Sequence, residues 1–308
     1  MSQTDITIII VTWNSEKWIK RCLDWILATS GDLKIEIIVV DNFSKDRTLE
    51  ILKPYGLQIK LIQNSSNLGY AKGCNQGLKI AQGNYVLLLN PDTEITEDSL
   101  KKTLDFMEEN PEAGALGPQL VDFERQIQPS CRRFPNYKLL LWELLGLSRL
   151  FPKSKIFGAW KMGDFDFKST REVEQPMGSA LFLRKKVIDQ IGLMDERFFL
   201  FYNDVDFCYR IKQAGWKIYF YAEAKIFHSK GASTGQVKIK KIILSHWGHF
   251  LYLKKYQGSG LKAILLLSFG LGLLISSLVR IIFSFLKKLS STKKRVLFNL
   301  LLIRDLSS

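Results

Sequence analysis

Residues 6–28 read ITIIIVTWNSEKWIKRCLDWILA, and this stretch decides the fold class. The β-branched run at 6–11 predicts a central strand that is buried on both faces. The apolar spacing over 15–28 predicts an amphipathic helix directly after it. The stripe of that helix consists of Trp18, Cys22, Trp25 and Ile26. A buried strand followed at once by an amphipathic helix is typical of an α/β sheet.

The same alternation continues along the chain. Further buried strands are predicted at 35–40, 57–62 and 85–89, and helical patterns at 70–81 and 97–109 separate or follow them. Strands and helices that alternate with short connections indicate a mainly parallel sheet with helices on both faces. Ligands bind such sheets at the carboxyl ends of the strands. The residues at those ends are therefore the candidates for function.

The composition is that of a globular protein with an uneven distribution of charge. The 308 residues are 46% hydrophobic and 24% charged, which excludes a disordered or disulfide-stapled chain. Four scattered cysteines without a C-x-x-C pair predict buried thiols in a reducing compartment. The formal net charge is +14, and all of it lies beyond residue 224, where 15 Lys and Arg face one acid. The polar residues 1–5 predict that there is no signal peptide.

Residues 236–308 are predicted to associate with a membrane. The stretch 238–256 combines basic residues with aromatic and aliphatic ones, as interfacial amphipathic helices do. Residues 263–279 carry no charge, and the apolar run reaches 286 if Arg280 is included, so that a spanning helix and an in-plane helix both stay open. A buried helix with a solvated basic tail is the alternative. A nucleic-acid surface is disfavoured, because it would interleave basic residues with polar or stacking ones.

Small polar residues and acids follow the predicted strands. The first strand ends in Thr12-Trp13-Asn14-Ser15, the second in Asp41-Asn42-Phe43-Ser44 and the fourth in Asn90-Pro91-Asp92. The loop 67–75 reads NLGYAKGCN, and the sequence contains neither a dinucleotide fingerprint nor a Walker loop. Asp41 is placed to accept hydrogen bonds from a ribose or a base edge, and Asp92 is placed to hold a divalent cation. Each acid can equally be a helix cap or a turn residue.

Residues 177–228 contain a second group of candidates. The segment 195–206 reads DERFFLFYNDVD, in which a string of large aromatics ends in two acids. An apolar wall of this kind can raise the pKa of a carboxylate into the range of a general base. His228 follows a further strand pattern at 217–227. It is a candidate second ligand for a cation at Asp92, or else a core histidine.

Taken in order, these pieces resemble the family 2 inverting glycosyltransferases of bacteria, especially their rhamnosyltransferase-like branch. The matching pieces are TWNS at 12–15, VVDNFSKD at 39–46, NLGYAKGCN at 67–75, LNPD at 89–92, RRFP at 132–135, MGSALFLR at 177–184, DERFFLFYNDVDFCYR at 195–210, AGW at 214–216 and FH at 227–228. The resemblance implies the GT-A nucleotide-diphospho-sugar transferase fold over residues 1–235. The nucleotide would bind to a part at about 1–125, and the acceptor to a part at about 126–235.

The resemblance also implies roles for single residues. Donor binding would fall to Thr12, Asn14, Asp41, Asn67, Gly69, Lys72, Asn75, Asn90 and Asp92. A Mg²⁺ or Mn²⁺ ion would be held by Asp92 and His228, and Asp204 would be the catalytic base. The acceptor side would include Gly178, Asp206, Arg132 and Arg133. For Asp206 an ion pair with Arg210 is a further expectation.

Two positions depart from the family pattern. The first acid of the D-x-D motif is Asn90 here, so that diphosphate and water would hold the cation more than the protein does. The acidic pair at the base is Asn203-Asp204, which leaves Asp204 as the candidate.

The implied reaction moves a sugar from a nucleotide-diphospho-sugar to a lipid-linked or polysaccharide acceptor in cell-surface glycan synthesis. Analogy favours rhamnose from dTDP-rhamnose. The enzyme would work at the cytoplasmic face of the bacterial membrane, with an anionic membrane surface and no nucleic acid as partner, and its oligomeric state stays open. The alternatives are a catalytically inactive membrane-bound sugar-nucleotide-binding protein and a nucleotidyltransferase on a related sheet. The latter is expected to carry a basic glycine-rich loop after the first strand, which TWNS is not.

Overall fold

One nine-stranded sheet runs through residues 1–236 of the computed structural model, which describes residues 4–96, 98–229, 238–258 and 266–279. The strands are β1 (Ile6–Thr12), β2 (Ile35–Asp41), β3 (Lys60–Gln63), β4 (Tyr85–Leu89), β5 (Thr93–Ile95), β6 (Ala113–Val121), β7 (Cys131–Arg132), β8 (Arg171–Glu172), β9 (Gln175–Pro176), β10 (Ala180–Arg184) and β11 (Lys217–His228). The helices are α1 (Ile19–Thr29), α2 (Thr48–Leu52), α3 (Tyr70–Ile80), α4 (Ser99–Glu109), α5 (Tyr137–Leu144), α6 (Leu147–Leu150), α7 (Lys185–Ile191), α8 (Asn203–Gln213), α9 (Lys238–Gln257) and α10 (266–279).

The sheet is mixed, with the order β3-β2-β1-β4-β10-β6-β11-β5, and β8 pairs with β11. The first four strands are mutually parallel, whereas β10 runs antiparallel between β4 and β6. Strands β7 and β9 form a separate antiparallel pair. The first residue of β10, Ala180, pairs with the last residue of β4, Leu89. The segment before β10 therefore lies at the carboxyl ends of the parallel strands, where the sequence predicts the functional residues.

Helices cover both faces of the sheet, as the sequence predicts. Alternate residues of β1 point to opposite sides, because side chains along a strand alternate between its two faces. On one face Ile8 packs with α1 and α4, and on the other Ile9 packs with α3, α7 and α8. The four cysteines are all buried and none forms a disulfide, as expected.

Several predicted boundaries are corrected by the structure. The third strand begins at Lys60 instead of residue 57, because the amides of Gln58 and Ile59 still bond to the carbonyl of Tyr55 in the preceding turn. The first helix begins at Ile19 instead of residue 15. Its buried stripe consists of Ile19, Cys22, Leu23 and Ile26, while Trp25 is exposed.

Strand β6 was not predicted from the sequence. It contains Gly114, Gly117 and Pro118, which weaken a strand pattern. The strand is nevertheless fully buried between β10 and β11. Its pairing with β11 has a bulge after Tyr221, the residue opposite Pro118, and bulges are one place where a sheet accepts proline.

Residues 237–308 form a second unit, of which α9 and α10 are described. The predicted amphipathic helix at 238–256 corresponds to α9. In α10, six apolar residues are exposed: Leu267, Leu271, Leu274, Ile275, Leu278 and Val279. None of the described helices is both long and apolar enough to cross a bilayer. The basic clusters beyond residue 279 lie outside the described residues.

Gly117 provides a test of how the sheet positions the site. A Cβ atom at this position would lie 2.3 Å from Cβ of Pro176, whose neighbour Gln175 contacts Asp204. We expect Gly117→Ala to lower the free energy of unfolding by about 1–3 kcal/mol, because the overlap forces β9 to move. Urea unfolding measures the change. Gly56→Ala is the matched control, since its Cβ would meet only the carbonyl of Lys53 at 3.4 Å, and an equal loss there would contradict the explanation.

Candidate active site

The carboxyl ends of β1 and β2 are joined by their own side chains. Thr12 and Asp41 are opposite each other in the register, and the Thr12 hydroxyl donates to Oδ1 of Asp41 over 3.1 Å. Oδ2 of Asp41 accepts from the amide of Ser44 at 3.0 Å. Both residues are buried. They therefore form a buried, hydrogen-bonded pair at this edge of the sheet.

Asn14, two residues after the end of β1, has a left-handed backbone conformation with φ 50°. Its amide donates to Oγ of Ser44, and its side-chain oxygen accepts from the amide of Lys45. Asparagine tolerates this backbone conformation better than most residues do. The loops after β1 and β2 are thereby fixed to each other.

Asn42 fixes the 67–70 loop to the same edge. Its side chain donates to the carbonyl of Gly69 at 2.9 Å and accepts from the amide of Leu68 at 3.0 Å. Asn67 accepts in turn from the amide of Gly69. Gly69 has φ 88°, and a Cβ atom here would lie 2.6 Å from the carbonyl oxygen of Phe199, so that a glycine is required.

The two later candidates of this loop lie in different surroundings. Lys72 is exposed on the first turn of α3. Asn75 is buried, and its side chain makes three hydrogen bonds to Met194 and Glu196. These bonds hold the segment before the aromatic string against α3.

Asp204 lies at the start of α8 and is held by three donors. Its Oδ2 accepts from the amide of Gly178 at 3.0 Å and from the side chain of Gln175 at 3.1 Å, and its Oδ1 accepts from the amide of Val205. Burial raises the pKa of the Asp204 carboxyl, against the lowering effect of the amide hydrogen bonds and of the Arg132 guanidinium. A carboxylate whose pKa is raised by burial suits a general base.

Tyr70 and the segment 178–179 connect the surroundings of Asp204 with the loop that contains Asp92. The Tyr70 hydroxyl donates to the carbonyl of Gly178 at 3.2 Å, and the carbonyl of Ser179 accepts from the amide of Asn90 at 2.9 Å. Burial raises the pKa of Tyr70, and the charges of both Asp204 and Asp92 raise it further. Both carboxylates therefore lie close enough to this one hydroxyl to act on it electrostatically.

Asp92 and His228 are buried together at the β5–β11 edge. Nε2 of His228 lies 3.9 Å from Oδ1 of Asp92, which is longer than a hydrogen bond. Gln128 donates from its Nε2 to the backbone carbonyl of His228, so that its Oε1 faces Nδ1 of the imidazole at 3.0 Å. In a neutral imidazole Nδ1 must then carry the proton, and the lone pair of Nε2 is directed to a carboxylate.

This arrangement fits a divalent cation. A lone pair and a carboxylate oxygen are both electron donors, and a metal-binding histidine usually donates its other ring proton to an acceptor, as Nδ1 does here. Within the described residues, no group of three or more His, Cys, Asp and Glu side chains is placed to hold a metal. The protein would thus supply two ligands.

The residues predicted for the acceptor side lie in different surroundings. Asp206 is buried and forms the expected ion pair with Arg210, Nε to Oδ2 at 3.0 Å. Arg132 donates to the carbonyls of Pro129 and Cys131, and burial lowers its pKa. Arg133 is exposed and lines a cavity of about 240 Å³, together with Arg171, Lys212, Glu172 and Glu174.

Sequence analysis missed four residues that organise the site, namely Asn42, Tyr70, Gln128 and Gln175. Asn42 and Tyr70 stood inside segments that the sequence singled out, so that their position was a usable signal. Gln128 lies in an irregular segment and Gln175 in the two-residue strand β9, and their contacts with His228 and Asp204 span 100 and 29 residues of sequence.

Comparisons with known proteins identify relatives of the chain. Residues 7–156 match the family described as Glycosyl transferase family 2. The N-acetylglucosaminyl-diphospho-decaprenol L-rhamnosyltransferase of Mycobacterium tuberculosis is 27% identical over 265 residues, which cover 81% of this chain and 84% of the relative. The dTDP-rhamnosyl transferase RfbF of Shigella flexneri is 24% identical, with 76% of this chain and 72% of the relative covered.

A solved structure shares the fold. The crystal structure of GalNAc-T7 with UDP, GalNAc and Mn²⁺ aligns with a TM-score of 0.58 and 14% identity, over 82% of this chain and 48% of that chain. The expected glycosyltransferase GT-A fold is confirmed.

The raised pKa of Asp204 predicts how stability depends on pH. The folded protein holds this proton more tightly than the unfolded chain, so that the ionised carboxylate opposes folding at neutral pH. We expect Asp204→Asn to raise the free energy of unfolding at pH 7. The gain should shrink as the pH falls through the raised pKa of the folded state toward the ordinary aspartate value of 3.8, because the wild-type carboxyl becomes protonated first in the folded protein and then in the unfolded chain.

Urea unfolding between pH 4 and pH 8 measures this difference. Asp189→Asn, at a mostly exposed aspartate of α7, is the matched control and should change stability little at any pH. A gain that stays constant with pH, or a loss at pH 7, would contradict the prediction.

Proposed function

Because the chain carries a glycosyl transferase family 2 domain, we propose that it transfers a sugar from a nucleotide-diphospho-sugar to a lipid-linked or polysaccharide acceptor in cell-surface glycan synthesis. The observation that carries this proposal is the segment 178–179, whose Gly178 amide donates to Asp204 and whose Ser179 carbonyl accepts from Asn90, two residues before Asp92. A transferase needs both acids at one cavity, one for the acceptor and one for the leaving group.

The donor lies along the carboxyl ends of β1, β2 and β4 in this proposal. The nucleoside contacts the edge built by Thr12, Asn14 and Asp41. The sugar diphosphate passes the loop that begins at Asn67 and reaches Asn90. Gly69 gives this loop its close approach to Phe199. Lys72 is exposed on the first turn of α3, directly after this loop, and its ammonium group suits a phosphate. The rhamnosyltransferase names of two relatives favour a dTDP-rhamnose donor.

A Mg²⁺ or Mn²⁺ ion is proposed at Asp92 and His228, as the separation of 3.9 Å and the proton on Nδ1 support. When bound, such an ion neutralises the charge that develops on the departing diphosphate. Gln128 holds the imidazole in the tautomer whose Nε2 carries the lone pair. Asn90 replaces a second carboxylate with a neutral side chain, which leaves further coordination to diphosphate and water.

Asp204 acts as the base. Its Oδ2 is anchored by Gly178 and Gln175, and its raised pKa lets it take a proton from the acceptor hydroxyl as that oxygen attacks the anomeric carbon. The bond from the acceptor oxygen to the anomeric carbon forms while the bond to the diphosphate breaks. A single displacement from the opposite side inverts the configuration at that carbon. The positive charge of the Arg132 guanidinium offsets part of the negative charge of the Asp204 carboxylate.

The acceptor is proposed to be carried on a lipid diphosphate at the cytoplasmic face of the membrane. The Mycobacterium tuberculosis relative is named for a decaprenol-linked substrate. The basic residues of 236–308 and the exposed leucines of α10 favour membrane association of this region. The exposed guanidinium of Arg133 suits a phosphate on the acceptor, although Glu172 and Glu174 line the same cavity and Glu172 pairs with Lys212.

The base is tested by Asp204→Asn. We expect transfer to fall by at least about a hundredfold, because the amide cannot accept the acceptor proton, while donor affinity changes by less than about twofold. Release of the nucleoside diphosphate measures transfer, and calorimetry measures donor binding. Asp189→Asn, on the mostly exposed surface of α7, is the control that should retain activity. An Asp204→Asn variant with wild-type turnover would overturn the assignment and favour a different base.

The cation site is tested by Gln128→Leu and His228→Ala. Loss of the group that orients a metal-binding histidine typically weakens metal affinity by about 10–100-fold, so that Gln128→Leu should raise the Mn²⁺ concentration for half-maximal activity by this factor. His228→Ala should raise it further. The wild type is first screened for thermal stabilisation by UDP-, GDP- and dTDP-sugars with and without Mn²⁺, which identifies the donor for the assay. Wild-type activity unaffected by chelation of divalent cations would rule out the site.

A further inference from the structure

An apolar surface stands out within residues 1–236. It lies in the segment 137–156, which contains α5 and α6. Leu150 is 71% exposed, Leu145 60% and Ile156 56%. Leu141 and Phe151 are also exposed, and Leu141 and Leu145 lie one turn apart on the same side of their helix.

These side chains are exposed because other residues of the segment supply its internal packing. Leu140 is buried, and the Trp142 ring packs edge-on against Phe157 with 5.2 Å between ring centroids. Glu143 forms an ion pair with Lys161 at 2.9 Å. These contacts join the segment to Phe157 and Lys161, which follow it in the chain. The Phe151 ring, although half exposed, also packs against Phe157 at 5.6 Å, while the exposed leucines take no part in these contacts.

The charges around this surface have one sign. Lys138, Arg149, Lys153 and Lys155 are exposed in the same segment. Its single acid, Glu143, is half-buried and neutralised by Lys161. Exposed leucine and phenylalanine interspersed with lysine and arginine are the composition of surfaces that rest in the headgroup region of a bilayer. The positive charges are complementary to anionic lipids.

The segment is connected directly to the candidate site. It follows β7 after the Asn136 cap, whose side chain accepts from the amide of Leu139. Arg132 of β7 lies opposite Gln175 of β9, and the Gln175 side chain donates to Asp204 at 3.1 Å. The segment that carries the apolar surface is therefore connected through β7 and β9 to the surroundings of Asp204.

We propose that the surface formed by Leu141, Leu145, Leu150, Phe151 and Ile156 rests in the headgroup region of an anionic membrane, independently of residues 236–308. A lipid-linked acceptor would then present its sugar beside Asp204 without leaving the bilayer. Only the presentation of a lipid-linked acceptor to Asp204 rests on the proposed function. Contact with the membrane itself follows from exposure and charge.

The test places a fluorophore on the surface of the full chain. All four native cysteines are buried, so that Leu145→Cys and Leu150→Cys each provide one accessible thiol for an environment-sensitive nitrobenzoxadiazole label. Vesicles of phosphatidylglycerol and phosphatidylethanolamine carry bromine on their acyl chains as a quencher. Leu57→Cys, at a fully exposed leucine on the turn before β3, is the matched control.

We expect the labels at 145 and 150 to lose at least about half of their emission in brominated vesicles, and the label at 57 to keep it. The loss should weaken when phosphatidylcholine replaces the anionic lipid, or when Lys153→Glu and Lys155→Glu are combined with the label. Equal thermal melting of the variants shows that they fold alike.

Other results would overturn the proposal. Equal quenching at 57 or none at 145 and 150 would exclude a membrane contact of this surface. An emission change that depends on protein concentration without lipid would assign the surface to a second copy. Thiols at 145 and 150 that do not react would show that another part of the chain covers them. Quenching in a protein without transferase activity would retain the surface and reject the proposed function instead.

Discussion

The hydrogen bonds of Gly178 are the constraint on which the rest of the site depends. Its amide donates to Asp204, and its carbonyl accepts from Tyr70, so that one peptide segment connects α8 with α3. A Cβ atom here would lie 2.9 Å from Cβ of Asp204, which leaves room only for glycine. The next residue, Ser179, bonds to Asn90 and thereby fixes the distance to the loop of Asp92. The antiparallel insertion of β10 beside β4 makes this connection possible, because it brings the start of one strand to the end of the other.

Polar residues at the edge of the sheet are held mainly by one another. Thr12 bonds to Asp41, Asn42 to Gly69, and Gln128 to His228, and each pair is buried or half-buried. Buried polar groups are costly unless they are satisfied, and a satisfied network is correspondingly rigid. Rigidity before the substrate arrives is what a transferase requires, since positioning supplies a large part of its rate. Burial also raises the pKa of Asp204, the carboxylate that we propose as the base.

The sequence predicted those parts of the fold whose signals are local. Strands β1, β2 and β4 are runs of Ile, Val and Leu, and these predictions agree with the structure to within one residue. Strand β6 could not be predicted in this way, because Gly114, Gly117 and Pro118 argue against a strand and only its neighbours β10 and β11 make it one. The same holds for Asn75. Its position in the motif gave it a role at the donor, while its contacts with Met194 and Glu196 depend on a segment about 120 residues away. The exposed surface at 137–156 also escaped prediction, since a run of leucines does not reveal which of them face outward.

The sequence by itself determined that this chain folds as an α/β sheet with acids at its strand ends, and that its basic residues are concentrated beyond residue 224. Periodicity, charge and motif order are properties of neighbouring residues, and they can be read without coordinates. The tertiary fold alone brings Asp92 to face His228, Asp204 to bond to Gly178, and Tyr70 to bond to the same glycine. These contacts join residues that lie between 26 and 136 positions apart. Strand order and the antiparallel direction of β10 bring them together, and no local pattern specifies either of these.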